Sequence, residues 1–174
     1  KVDKGAKLLA GSNDENVTEG LDGLRERLTE YYNLGARFTK WRAVYKISEK
    51  FPSSQSIKSN AHALARYAAL VQEAKMVPII EPEVLMDGSH NIDKCYSVTT
   101  DVLNECYNEL HIHNVDLKGT VLKPNMIIPG SDCEDKSTSE EIARKTLDCL
   151  KKNVPDKVPG IAFLSGGQSE IESS

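Results

Sequence analysis

The 174-residue sequence lacks the features of several special classes of protein. It has no run of about 18 or more apolar residues, which excludes a transmembrane helix, so we expect no membrane insertion. Its first residues contain no apolar block of the kind that forms a signal peptide. Because the chain begins with Lys1 rather than Met, we also expect that the natural protein starts earlier.

An excess of basic residues is also missing. The chain has 22 Lys and Arg against 26 Asp and Glu, which gives a formal net charge of −4. A nucleic-acid-binding protein more often carries a basic stripe, so we expect no nucleic-acid partner. An anionic ligand would have to be held by a few local cations.

Cysteine and histidine are sparse, and neither forms a recognisable metal-binding pattern. The four cysteines show no C-x-x-C spacing, so we expect them to be reduced and packed as small apolar residues rather than paired or metal-bound. Reduced cysteines are typical of a cytoplasmic protein, which is the location that we expect. His111 and His113 fall at the end of a predicted helix, where capping or exposure to solvent is expected. The sequence therefore predicts no metal site and no cofactor. The cysteines are Cys95, Cys106, Cys133 and Cys149.

The composition that is present, 39% hydrophobic and 28% charged, is typical of one globular domain with a substantial core. Four short apolar runs start about 40 residues apart and are bounded by Gly, Pro or polar residues. They show little alternation, which predicts strands that are covered on both faces. The runs are residues 36–41, 76–80, 119–122 and 160–164.

Amphipathic patterns between these runs predict four helices. The first ends before Gly35, a typical C-terminal stop. The last opens with Ser137 and Glu140 in capping-box spacing and places Leu147 on its apolar face. The predicted helices span residues 18–34, 57–71, 93–111 and 137–153.

Alternating strands and helices indicate an α/β protein built from parallel βα units, closed either as an open doubly wound sheet or as a (β/α)8 TIM barrel. No G-x-G-x-x-G turn follows a strand, which weakens the dinucleotide-binding version of the open sheet. Polar residues follow every strand, where barrel enzymes build their sites. A barrel of eight such units needs about 320 residues. We therefore predict that residues 1–174 form a single domain that is an internal part of a barrel, from the end of strand 3 (residues 1–3) through strand 7.

Lys123 is the first candidate catalytic residue, because it directly follows the apolar run 119–122. In a closed apolar barrel mouth a lysine loses hydration, which disfavours its charged form. A neutral amine can then attack a carbonyl group and form a Schiff base. The alternative is a lysine that extends to water or pairs with a carboxylate.

Carboxylates and cations follow the neighbouring strands. Dehydration of a Schiff-base precursor needs an acid and base, which Glu81 or Glu83 can supply, although either can equally be an ion-pair partner. Pro82 between them could break their common orientation. Lys40 and Arg42 can bind phosphate or an oxyanion, or form a solvated strand end, and Lys1 has the same two readings.

The segment SGGQSE, residues 165–170, follows the last predicted strand and leads towards a predicted helix. Its glycines let the backbone approach a ligand, and N–H groups at a helix start attract phosphate. Late strands often carry the phosphate site of a barrel, but an ordinary glycine turn is the alternative.

Taken together, these stretches resemble class I fructose-bisphosphate aldolase, the metal-independent glycolytic enzyme. The matching motifs occur in the expected order and cover essentially the whole chain. They are KVDKG (1–5), GLDGL (20–24), ARFTKWR (36–42), LARYA (64–68), PIIEPE (78–83), LKPNM (122–126) and FLSGGQSE (163–170).

The resemblance implies specific roles for the candidate residues. Lys123 is similar to the Schiff-base lysine, Glu81 to the glutamate that moves protons during dehydration and hydrolysis, and Glu83 to a supporting carboxylate. Lys40 is similar to a lysine that binds and polarises the substrate. The residues implied to hold the phosphates or hydroxyls of the substrate are Lys1, Arg42, Ser165, Gly166 and Gly167.

The resemblance further implies reversible cleavage of fructose 1,6-bisphosphate to dihydroxyacetone phosphate and glyceraldehyde 3-phosphate, in glycolysis and gluconeogenesis, without a metal. It implies phosphorylated sugar substrates, a homotetramer and partners of the actin or adhesin type. Transaldolase, another imine-forming barrel, does not fit the EPE, LKPN and SGGQ motifs. The sequence leaves open the preference between the bisphosphate and fructose 1-phosphate.

Three functional elements of the family lie outside this sequence: an aspartate after the first strand, an arginine after the last strand and a C-terminal tyrosine tail. We therefore expect the isolated 174-residue fragment to be inactive, with exposed sheet edges. The alternative function is a catalytically incomplete aldolase that acts as a binding or scaffold protein.

Overall fold

The structure is a computed structural model that describes residues 1–12, 14–171 and 173. Strands and helices alternate along most of the chain. The strands are β1 (Ala6–Leu8), β2 (Asn16–Thr18), β3 (Phe38–Tyr45), β4 (Val77–Val84) and β5 (Val121–Leu122). The α-helices are α1 (Leu24–Asn33), α2 (Ser54–Glu73), α3 (Ile92–Ile112) and α4 (Ser139–Asn153), and a short 3-10 turn spans Leu117–Gly119.

Both pairings among strands β3, β4 and β5 are parallel, as the alternating pattern predicts. β3, β4 and β5 form one sheet in that order, with Arg42 opposite Glu81 and Ile80 opposite Leu122. Pro82 does not interrupt the sheet, because the register between β3 and β4 runs unbroken through it. Pro82 therefore does not disturb the common orientation of Glu81 and Glu83.

The strand predicted over residues 160–164 is only partly formed. Leu122 N donates to Gly160 O at 3.1 Å and Ala162 N donates to Leu122 O at 2.9 Å, which makes a single parallel bridge beside β5. Phe163 and Leu164 remain 46% and 67% exposed. A longer strand needs apolar cover for these side chains, which the described residues do not provide.

Residues 1–3 do not form the end of a strand, although Val2 N donates to Lys40 O at 3.0 Å and so lies beside β3. An antiparallel ribbon of β1 and β2, which the sequence analysis missed, follows them. Its β2 strand includes Thr18, the start of the predicted first helix, and α1 begins six residues later. Strands of three residues are too short for periodicity to reveal.

The strands are covered on one face rather than on two within the described residues. On β3, the side chains of Thr39, Trp41, Ala43 and Tyr45 are buried, while the residues between them are not. Trp41 stacks on Tyr67 of α2 with ring centroids 5.3 Å apart, so the buried face packs on the helices. The opposite face carries Lys40 and Arg42 and is open in the described residues.

The helices pack as the apolar stripes predict, with two local differences. Gly35 has φ 102° and its N–H donates to Tyr32 O, which confirms it as the stop after α1. The N-cap of α4 is Thr138, whose hydroxyl accepts from Glu141 N, so the capping predicted for Ser137 lies one residue later. Leu147 is 54% exposed and not part of the buried stripe.

The sequence predictions about cysteine and membrane spans can also be compared with the fold. All four cysteines are buried and unpaired, and burial raises the pKa of the Cys95 thiol to about 11 and of the Cys106 thiol to about 12. They are therefore packed as small apolar residues, as expected. Among the described residues, no helix has the length and apolarity needed to cross a bilayer.

Candidate active site

The predicted site residues of three strands converge on one cavity. Successive side chains alternate between the faces of a strand, so residues two apart share a face. The register then brings the open-face side chains of β3 and β4 next to the residue that follows β5. They line a cavity of about 470 Å³ at the carboxyl ends of the strands. These lining residues are Lys40, Arg42, Glu81, Glu83 and Lys123.

Lys123 and Glu81 form the centre of this cavity. The ammonium group of Lys123 donates a hydrogen bond to Glu81 Oε1. The Glu81 side chain is only 4% exposed, whereas that of Lys123 is 21% exposed. A buried carboxylate is strongly disfavoured unless it is paired, so this contact stabilises Glu81 in place.

Lys40 supplies a second positive charge to the same carboxylate. Its Nζ lies 2.8 Å from Glu81 Oε2 as an ion pair, without the angles of a hydrogen bond. Two ammonium groups thus flank one carboxylate, one at each oxygen. Within the described chain, Oε2 keeps hydrogen-bonding capacity that a substrate can use.

Arg42 and Glu83 form a separate pair at the edge of the cavity. Arg42 Nε donates to Glu83 Oε2 at 2.5 Å. This hydrogen bond raises the pKa of the Arg42 guanidinium, so the group is positively charged at every ordinary pH. Among the described residues, Glu83 is therefore paired with Arg42 and not with Lys123.

Lys1 approaches the site through Asp3 rather than directly. Lys1 Nζ lies 3.4 Å from Asp3 Oδ1, and Asp3 Oδ2 accepts from Arg42 N at 3.3 Å. Asp3 is buried beneath these contacts, and Gly20 packs on its backbone, where an added Cβ would lie 3.2 Å from Asp3 Cα. In the described residues Lys1 is not part of the cavity lining itself.

The SGG segment also borders the cavity. Gly166, with φ 61°, lines it together with Leu164, while Ser165 is exposed to solvent. Gly167, with φ 85°, packs so closely on Met86 that a Cβ would collide with the methionine sulfur. Positive φ angles therefore favour glycine at both positions, whereas the flexible end of the Met86 side chain could shift to admit a Cβ.

Two loops at the cavity mouth are joined by backbone hydrogen bonds. Gly130 N donates to His90 O at 2.8 Å, Ser131 N to Met86 O at 2.8 Å and Asp132 N to Gly88 O at 2.9 Å. The loop after β4 and the loop after β5 therefore form one wall. Below them, Asn125 Oδ1 accepts from Val84 N at 3.0 Å and ties the two strand ends together.

Sequence reasoning missed some residues of this site. Asp3 was not singled out, although it stands between two lysines in KVDKG, and that charge pattern was the available signal. Met86 and Asp87 also line the cavity. They come from a loop whose path depends on the hydrogen bonds to residues 130–132, which no local pattern reveals.

A lysine bonded to a buried carboxylate can lose its proton to that partner and attack a carbonyl group. The cavity is lined by both basic and acidic side chains, so it can bind an anionic substrate locally while moving protons. Parallel βα units with such a site at the strand ends define an α/β-barrel protein with a lysine–carboxylate centre.

Comparison with known proteins agrees with that class. The family profile described as glycolytic fructose-bisphosphate aldolase class-I matches residues 1–174. A protein of Xanthomonas axonopodis pv. citri named as a probable fructose-bisphosphate aldolase class 1 is 58% identical over all 174 residues, which are 52% of its length. Human fructose-bisphosphate aldolase C is 53% identical over the whole chain and 48% of its own length.

A solved structure gives the same result. Plasmodium falciparum fructose-bisphosphate aldolase, in complex with TRAP and a small-molecule inhibitor, superposes with a TM-score of 0.96 and 45% identity over 99% of this chain and 50% of that one. The chain belongs to the class I fructose-bisphosphate aldolase family. Its strands and helices are accordingly part of a TIM barrel, and the chain spans about half the length of the curated relatives it matches.

Proposed function

We propose that the protein carrying this chain cleaves fructose 1,6-bisphosphate reversibly to dihydroxyacetone phosphate and glyceraldehyde 3-phosphate through an imine on Lys123. The observation that carries the proposal is the hydrogen bond from Lys123 to the buried Glu81, with Lys40 on the other carboxylate oxygen. Family membership makes a phosphorylated sugar the substrate class.

The chemistry starts with proton transfer. Lys123 gives a proton to Glu81, and the neutral amine attacks the ketone carbon of the sugar to form a carbinolamine. Glu81 then returns the proton to the carbinolamine hydroxyl, which leaves as water and produces a protonated imine. Lys40, already at the same carboxylate, stabilises the negative charge that develops on oxygen during attack.

The carbon–carbon bond breaks when its electron pair moves to the imine nitrogen, which leaves an enamine on Lys123 and releases the aldehyde. Protonation of the enamine and addition of water then release dihydroxyacetone phosphate. The base that takes the proton of the substrate hydroxyl in this step is expected from the family's aspartate outside residues 1–174. We therefore expect the isolated chain to lack turnover.

Substrate binding is assigned to the cations and glycines around the cavity. Arg42, fixed by Glu83, and Lys1, linked to it through Asp3, are proposed to hold one end of the sugar phosphate. Ser165 and the two following glycines are proposed to hold the other phosphate, supported by the positive φ angles of the glycines, a backbone conformation found in anion-binding loops.

The proposal extends to the complete protein. Residues 1–174 would form an internal part of one barrel domain, and the protein would be a cytosolic homotetramer. Three relatives from Arabidopsis thaliana are named as cytosolic aldolases, and the Plasmodium relative is in complex with TRAP. An adhesin- or actin-type partner is the corresponding proposal for this protein.

Imine trapping tests the proposed mechanism. Full-length protein is incubated with dihydroxyacetone phosphate, reduced with borohydride and mapped by mass spectrometry. We expect the adduct on the peptide that contains Lys123. Lys123→Arg should abolish it, since a guanidinium does not form an imine, while Lys118→Arg, an exposed lysine nearby, should retain it. No adduct, or an adduct elsewhere, would contradict the mechanism.

A further inference from the structure

We propose that His62, Glu109 and His113 form a binding site for a zinc-type divalent metal ion, here called the α2–α3 triad. His62 lies on α2, Glu109 on α3, and His113 is the C-cap of α3. Their candidate ligand atoms all lie within 4.8 Å of one another. Two imidazoles and one carboxylate are a donor set that Zn²⁺ commonly takes.

The spacing of the donors fits a metal ion. Zn–N and Zn–O bonds of ~2.0–2.1 Å at tetrahedral angles place neighbouring ligand atoms ~3.3 Å apart. His62 Nδ1 already lies 3.1 Å from Glu109 Oε2, although the two residues are far apart in sequence. The rings of His62 and His113 meet edge to face with centroids 4.9 Å apart, so the third donor lies beside the other two.

The backbone already orients one of the rings. His113 Nδ1 lies 2.9 Å from Glu109 O, one turn earlier on the same helix. The same Nδ1 also lies 3.4 Å from Glu109 Oε2. When Nδ1–H donates to the carbonyl, Nε2 is the nitrogen left to bind a metal ion, as in the usual outer-shell arrangement around metal-bound histidine. Glu109 and His113 are also four residues apart, which places both side chains on one helix face.

The triad is separate from the proposed aldolase site. α3 starts after the carboxyl end of β4 and runs back to the start of β5, so its last turn lies at the opposite end of the sheet from Lys123. A metal there would join α2 to α3, because each helix supplies at least one ligand. Three protein ligands leave one position of a tetrahedral ion for water.

Zinc titration tests the proposal. Full-length protein, freed of metal with a chelator, is titrated with Zn²⁺ against a chromogenic competitor at about pH 7.5, where histidine is mostly neutral. We expect one site whose affinity falls by about tenfold or more in His62→Gln, Glu109→Gln and His113→Gln. His111→Gln is the matched control, since this histidine is exposed on the same helix end, and its affinity should equal wild type.

A second measurement separates a built site from general surface binding. Zn²⁺ that binds only the folded protein raises the melting temperature. We expect that increase in wild type and His111→Gln, and its loss in His62→Gln. Equal zinc affinity in wild type and all three triad variants, or no binding by micromolar wild-type protein, would overturn the proposal. Neither result would bear on imine formation at Lys123.

Discussion

Lys123 donates a hydrogen bond to Glu81, a carboxylate that is almost completely removed from solvent. Pairing and proton transfer are often treated as rival explanations for such a contact. Here one geometry serves both, because the ion pair that stabilises the buried carboxylate also puts the proton acceptor against the amine. In the proposed mechanism, Lys40 on the second oxygen would keep the carboxylate in place while Lys123 bonds to the substrate.

Replacing Glu81 by Gln should remove the proton acceptor while keeping the shape of the side chain. In full-length protein we expect kcat for bisphosphate cleavage to fall by about 10²–10⁴, the usual contribution of a general acid–base group. Glu73→Gln is the matched control, since Glu73 only forms an exposed ion pair with Arg25. Steady-state assays give the comparison, and a Glu81→Gln enzyme within about twofold of wild type would refute the role.

Gly20 should tolerate alanine less well than Gly5. Both have positive φ angles, but a Cβ on Gly20 would lie 2.9 Å from Lys4 N, whereas in the described chain no atom lies within 4 Å of a Cβ on Gly5. Gly5→Ala should cost about 1–2 kcal/mol of unfolding free energy from backbone strain alone. Gly20→Ala should cost at least about 1 kcal/mol more because of the collision.

Denaturant unfolding of the two full-length glycine variants measures this difference. Since Gly20 packs on Asp3, its variant should also raise KM more than the Gly5 variant does. Equal destabilisation by the two substitutions would mean that the contact with Lys4 and Asp3 relaxes freely.

His90 should make stability depend on pH in mildly acidic solution. Burial lowers its pKa from the ordinary 6.5, and neither ring nitrogen has a hydrogen-bond partner among the described residues. The unfolded chain therefore binds the proton more readily than the folded chain as the pH falls below about 6.5. Stability is lost from that pH down through the lowered pKa of the folded state.

His90→Phe should remove this dependence, because phenylalanine fills a similar space without titrating. Melting temperatures of the full-length proteins between about pH 7.5 and about pH 5 should fall less steeply for the variant than for wild type. His111→Gln, at an exposed position, should follow the wild-type curve. Parallel curves for wild type and His90→Phe would show that the histidine does not contribute.

The sequence predicted the parts of the fold and the site that depend on local patterns. Lys40, Glu81 and Lys123 each follow or end an apolar run, and parallel strands bring such ends together, so their proximity was predictable. The exposure of Leu147 was not, because an apolar residue at a helical spacing looks the same whether or not a neighbour covers it. The β1–β2 ribbon was too short to leave a pattern.

The α2–α3 triad shows a second limit. His113 was noticed only as a helix-end residue, and His62 and Glu109 carry no signal of their own. Two helices with separate sequence patterns pack side by side and bring them together. Packing between helices depends on the rotation of each helix, which periodicity gives too coarsely to place individual side chains.

The hydrogen bonds between residues 86–90 and residues 130–132 have a consequence for motion. Because three backbone bonds join the two loops, neither can swing away from the cavity alone without breaking all three. The amides of Gly130, Ser131 and Asp132 should therefore exchange with solvent together, as one cooperative unit. Under the proposed function, this wall would therefore stay rigid while a sugar phosphate enters and leaves the cavity.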